Sequence, residues 1–396
     1  MKYITYISVV STLLSVCLSS CHRVDDFPKI KVEVPIADTL LEKKNVPCVF
    51  LLTDKEGQEV LDEDAKIRLR GNSTALFPKR PFRIKLSEKT SLCGMPQAKQ
   101  WILLANYFDK TMLRNALAFK LSEDSRLAWT PRYRFVELYY NDAHKGTYQL
   151  CEKIQVHANR VEVPQDGWLI EVDGRVDTTK DVFFNTKQMP VVFRIEWPKV
   201  QQDDPWVDSI RTVFLKAEGA LFGADFADQA KGWQNYLDKE SWVDWYLINE
   251  ITKNFDANFN SSCYMHSGYD GKIVMGPVWD FDISMGNTNS LGDERLPQGW
   301  YIRRTNWYTR LFEDPEFVSA VKERFAYFYN QRENYYQYIR DHATQLRPHA
   351  LKNDKIWHTI GVLIGPNPIA FRTYDKEVEV LIGWLKQRFE WINSHL

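Results

Sequence analysis

Residues 275–286 read MGPVWDFDISMG, and two aspartates, Asp280 and Asp282, stand one residue apart between Trp279, Phe281 and Ile283. On an extended chain that spacing puts both carboxylates on one face, where they repel each other. A cation bridging Asp280 and Asp282, or Asp280 and a neighbouring Asn, relieves the repulsion. An oxygen-rich, His-free setting suits Mg²⁺ or Mn²⁺ rather than zinc. A turn with two solvated carboxylates is the plainer account, and the apolar and aromatic flanks argue against full solvation.

Three earlier stretches carry further candidates. In NEITKNFDANFNSS, Asp256 sits just past a helical pattern among Asn254, Asn258, Asn260 and Ser261. A carboxylate beside amide side chains suits a general base with metal-orienting neighbours; helix-end capping accounts for the same residues. In RLRGNSTALFPKRPFRIKL, residues 68–86, a strand runs into Gly71, Asn72, Ser73 and Thr74 and returns into a strand carrying Lys85. Gly71 permits close backbone approach, and successive amides and hydroxyls can cradle phosphate oxygens. Arg68, Arg70, Lys79, Arg80 and Arg83 add positive charge, although a hairpin with a solvated basic face also fits. Glu152, in YQLCEKI, lies at a strand end and is unremarkable alone. Taken in order, glycine loop, strand Lys, strand-end Glu, loop Asp with Asn, and Asp-Phe-Asp follow the order of parts in a protein kinase.

The blocks RGNSTALFPKRPFRIKL, WILLANYFDKTMLRNALAFKLS, ELYYNDAHKGTYQLCEKIQVHANRV, NEITKNFDANFNSSCYMH and MGPVWDFDISMGN resemble the CotH family, atypical kinases related to spore coat protein H. RLFEDPEFVSAVKERF is similar to its helical tail. The resemblance implies an α+β, divergent protein-kinase-like fold with two lobes. It implies ATP with Mg²⁺ or Mn²⁺ as cofactors and Ser/Thr of secreted or envelope proteins as acceptors. By the same resemblance Asp256 is the catalytic-loop Asp, Lys85 contacts the α/β-phosphates, and Gly71, Asn72, Ser73 and Thr74 cover them. Asp280 and Asp282 are metal ligands, with Asn260 or Ser261 as second partner, and Glu152 lies by the adenine. The chain departs from ordinary kinases in having no Glu in the helix from Asp109 to Ser122 to hold Lys85. No His-Arg precedes Asp256, and Asp282 stands in the place of the DFG glycine.

These residues need elements to position them. Strand patterns dominate to about residue 200 (KIKVEVPI, CVFLLTD, EVLDEDAKIRLRG, FRIKL, and a hairpin around NDAHKG) and helical patterns follow. An N-terminal lobe over about 46–200 and a C-terminal lobe over about 201–396 result. KTMLRNALAFKLSED reads as an amphipathic helix with Asp109 as its N-cap. Residues 1–20 have the outline of a secretory signal peptide, and LSSC ending at Cys21 resembles a lipobox. The expectation is a chain lipidated at Cys21, tethered by residues 21–45 to a bacterial membrane, the outer one where the cell has two. A net charge of -1 gives no footprint for nucleic acid. Cys48, Cys93, Cys151 and Cys263 show no metal spacing and read as buried small hydrophobes more than as bridges. Two other functions fit the same residues. One is a non-catalytic, adhesin-like envelope assembly module on a kinase-like scaffold. The other is a kinase fold acting on a glycan.

Overall fold

The computed structural model describes residues 27–35 and 43–396. The expected signal peptide and Cys21 lie outside the described residues. In the N-terminal half, alternation of apolar and polar residues builds strands whose inner faces meet. These are β1 (Lys29–Glu33), β2 (Val46–Thr53), β3 (Glu59–Leu69), β4 (Phe82–Thr90), β5 (Ala98–Leu104), β6 (Tyr133–Tyr140) and β7 (Ala143–Glu152). They close a barrel in the order β1-β2-β3-β4-β5-β7-β6, the parallel β1–β6 pair completing the circle. Ile30, Val32, Phe50, Ile67, Ile84, Trp101, Leu138 and Leu150 fill it, every second residue of each strand pointing inward. The segment expected as tether thus supplies β1, a strand of the barrel. The β6–β7 turn is Asn141–Asp142, both at positive φ, which matches the twist of a tight hairpin.

The helix before β6, α1 (Arg114–Glu123), is not amphipathic. Residues 114–119, 121 and 122 are all buried, because α1 is sandwiched between the barrel and the helical half. Asp109 caps it from a distance: its Oδ2 accepts from the Arg114 amide at 2.8 Å, while Oδ1 takes Thr111 and the Arg114 guanidinium.

Beyond a connector at 153–168, β8 (Leu169–Val172), β9 (Phe183–Phe184), β10 (Phe193–Trp197), β11 (Cys263–Ser267) and β12 (Ile273–Met275) form a second sheet, ordered β12-β11-β8-β10-β9. Around it pack α2 (Pro205–Phe222), α3 (Lys239–Thr252), α4 (Asn306–Leu311), α5 (Pro315–Asn330), α6 (Arg332–Trp357) and α7 (Tyr374–His395). By packing, β8–β10 belong with these helices: Ile170, Val172 and Phe193 share a core with Phe214, Trp242 and Phe389. The division between cores therefore falls in the connector and not at about residue 200. The helical pattern after residue 315 is divided at Gln331 into α5 and α6. All four cysteines in the described residues are free thiols, three of them buried.

Candidate functional site

The candidate acids lie in the loop between α3 and β11 and in the turn after β12. The sheet strand ends at Met275, so Asp280 and Asp282 do not alternate along a strand. Asp280 sits at φ 67°, and the chain turns at once, Ser284 N–H donating to the Phe281 carbonyl. Lys253, Phe259, Ser262 and Met285 are left-handed as well, so unusual backbone gathers where the candidate acids are. What pins the turn is α1: Asn115 Oδ1 accepts from the Phe281 amide at 2.9 Å, and Arg114 Nε donates to the Ser284 carbonyl at 3.0 Å.

Asp256, Asp280 and Asp282 are close enough to perturb one another. Burial and then the charge of Asp280 push the Asp256 carboxyl up to about 6, against help from Arg175 and an Asn260 hydrogen bond. Asp280 is also raised by burial, offset by Arg70, Ser262 and Arg175. Asp282 is raised well above the usual range by burial, then by Asp280, Asp256 and Asp109. Such a group attracts positive charge, and Asp256 is poised as a base near neutral pH. Among the described residues no three His, Cys, Asp or Glu side chains converge as a ready-made metal cage. The donor chemistry nevertheless fits a hard divalent cation, since it offers carboxylate, hydroxyl and amide oxygens.

The other candidates fall into place unevenly. Asn260 sits by Asp256, and its carbonyl accepts from Gly174 N–H at 3.0 Å, tying the loop to the end of β8. Ser261 is buried, whereas the neighbouring Ser262 donates to Asp280 Oδ2 at 3.3 Å. Asn254 donates to Asn249 within α3 at 3.2 Å and so serves the helix end. The Gly71–Thr74 loop leaves Asn72 and Ser73 exposed. Gly71 is at φ 84°, and a Cβ there would lie 2.1 Å from Thr74 Oγ1, so only glycine fits. Phe77, farther along the loop, meets Phe108 edge-on at 4.6 Å.

Lys85 is exposed on the outer face of β4, opposite Lys66 and Gln100. The structure does not bring it to the acids. Glu152 is fully buried, its carboxylate accepting from the Arg132 amide at 3.0 Å with Arg160 Nε at 3.9 Å, so it closes the barrel's end. Arg70, Arg175, Ser262 and Asn115 are the residues near the acids that motif order passed over. Arg70 stood in the sequence as one cation among six, and its stacking on Trp279 at 5.5 Å singles it out. Asn115 gave no signal, because a buried helical Asn is legible only once its partner is known.

Across residues 67–392, most of the chain, the sequence matches the family model described as "CotH kinase protein". The chain belongs to the CotH family. No curated protein matches it. In this CotH-family chain the match spans the glycine loop, the Asp256 loop and the Asp280 turn, and runs through the last helix.

Proposed function

We propose that this CotH-family chain is an exported, ATP- and divalent-metal-dependent protein kinase. It transfers the ATP γ-phosphate to Ser or Thr of a secreted or envelope protein, and a lipid on Cys21 holds it at the membrane. The observation that carries the reading is the meeting of Asp256 and Asp280, each shifted by the other's field or by Arg70 and Arg175, beside a strand-built half with a glycine loop. Phosphoryl transfer depends chiefly on positioning and charge neutralisation, and those groups suffice for both. Asp280, with Ser262 and Asn260 or Asp282, would hold Mg²⁺ or Mn²⁺, which when bound neutralises charge on the transferred group. Asp256 accepts the hydroxyl proton of the acceptor. Arg175, facing both aspartates, keeps Asp256 from rising further. Asn115 fixes the turn that carries Asp280 by accepting from the Phe281 amide.

The test is incubation of the protein with γ-labelled ATP and Mn²⁺ or Mg²⁺, alone and with a casein-like acceptor. Label is expected in one or the other and is lost in Asp280→Ala. Label that persists in Asp280→Ala overturns the site. No label together with no ATP-induced thermal shift overturns the kinase reading in favour of an assembly module.

A further inference from the structure

Two arginines stand at the root of the glycine loop. Arg70 is the first residue after β3, and its amide donates to the Pro81 carbonyl at 3.1 Å, closing the loop at its base. Arg83 lies directly across the β3–β4 ladder from Arg68. Like charges so opposed are destabilising unless something else compensates. Arg83 donates through one Nη to Asn45 Oδ1 at 2.8 Å, but its Nε is buried without a partner. Among the described residues neither Arg70 nor Arg83 forms an ion pair with a carboxylate. Arg194 on β10 is by contrast ringed by Glu171, Asp173 and Glu196. The Arg70 guanidinium lies over Trp279, one residue from Asp280, so the cationic root reaches the acids. The same field reaches Lys153, which burial, then Lys199 and these arginines, hold down to about 8 against Glu196.

We propose that Arg70 and Arg83, and not Lys85, clamp the polyphosphate of the nucleotide, one at each end of the loop root. This rests on the nucleotide-binding reading above. Arg83 is half-buried on the part of β4 that faces the helical half, next to Ile102 of β5, which belongs to the helical core. Lys85, two residues on along the same face, is already in solvent. A polyphosphate satisfies both guanidinium groups with charge-assisted bonds and presents its far end to Asp280.

The test is titration of the full-length protein in Mg²⁺ with ATP, inorganic tripolyphosphate and adenosine. Arg70→Gln and Arg83→Gln are each expected to weaken ATP and tripolyphosphate about tenfold or more and leave adenosine unchanged. Lys85→Gln is expected to leave all three within about twofold, as for an exposed charge. The ligand-free melting midpoint reports folding, and Arg70→Lys and Arg83→Lys keep the charge while losing the bidentate geometry. The clamp is overturned if Lys85→Gln alone loses polyphosphate, or if wild-type binds ATP and the arginine variants bind it equally well; the kinase reading survives both results. If tripolyphosphate binding depends on both arginines but no phosphoryl transfer occurs, the clamp stands and the kinase reading falls. Wild-type protein that binds neither ATP nor tripolyphosphate overturns both.

Discussion

At the scale of single residues, the decisive feature is a group of acids drawn out of water. Asp280 and Asp282 are half-buried, desolvation raises both carboxyls, the charge of Asp280 raises Asp282 further, and Arg70 and Arg175 offset only part of this at Asp280, so a cation arriving there relieves the strain. Removing one carboxylate should therefore leave the fold intact while removing the chemistry. Asp280→Asn is expected to lower phosphoryl transfer at least about a hundredfold, on the scale of losing one electrostatic group in a phosphoryl-transfer site. Its metal-free melting midpoint is expected to equal or exceed that of wild-type. In wild-type, Mg²⁺ alone should raise the midpoint, and in Asp280→Asn it should not. Differential scanning fluorimetry with and without chelator checks both, and a variant that melts far below wild-type would mean that the carboxylate is structural. The Asp280-Phe281-Asp282 motif was readable as chemistry from its sequence alone. Its geometry was not, since the alternation it suggested gave way to a left-handed residue and a turn.

At the scale of elements, what matters is which element holds which. α1 reaches the turn that carries Asp280 through Asn115, a hydrogen bond that no periodicity reveals. Asn115→Ala strands the Phe281 amide in a buried place, at a cost of about 1–3 kcal/mol, and frees the turn. The expected result is a lower kcat with little change in ATP affinity, measured by steady-state kinetics beside equilibrium titration. A second junction joins β6, β7 and α6. Glu137 Oε1 accepts from His349 Nδ1 at 2.6 Å and from Thr147 at 3.1 Å, and Oε2 meets His144 Nε2 at 2.5 Å. Although burial opposes it, the two histidines bring the Glu137 carboxyl down to about 2. A folded value below the unfolded one means stability that is full above about pH 4 and lost as pH falls towards 2. Glu137→Gln should therefore destabilise at neutral pH, by about 2–4 kcal/mol for a buried partner left behind, and flatten the loss between about pH 4 and 2. Urea titrations across that range test it, and an unchanged slope counts against it. The strands, the β6–β7 hairpin and most helices were legible because their periods and turn residues are local. The break at Gln331, the burial of α1 on all sides and the barrel role of β1 depend on partners far away in sequence.

At the scale of the whole molecule, two cores must move as one if a loop on the barrel is to meet acids on the helical half. The barrel interior and the helical core are separate clusters, but the barrel's outward residues Ile102 and Cys151 belong to the second. The seam with α6 is the other weld. Trp357 Nε1 donates to the Lys145 carbonyl at 2.9 Å, and Gly146 lets Asn353 approach so closely that a Cβ would lie 2.3 Å from its Oδ1. Gly146 also has φ 81°, which a side chain disfavours by about 1–2 kcal/mol. Wild-type protein is expected to melt in one cooperative transition, with the calorimetric and van't Hoff enthalpies equal. Gly146→Ala pushes the Asn353 side chain and crowds the Trp357 indole, loosening α6 on the hairpin while leaving both cores intact. It should lower the midpoint and separate the transition into two, with tryptophan fluorescence, dominated by the helical half, and far-UV dichroism no longer coincident. Phosphoryl transfer should fall in the same variant, because the glycine loop loses its fixed distance from Asp256 and Asp280. A single transition at the wild-type midpoint would show that this contact is dispensable and that Ile102, Cys151 and the Glu137–His349 junction hold the two halves in register.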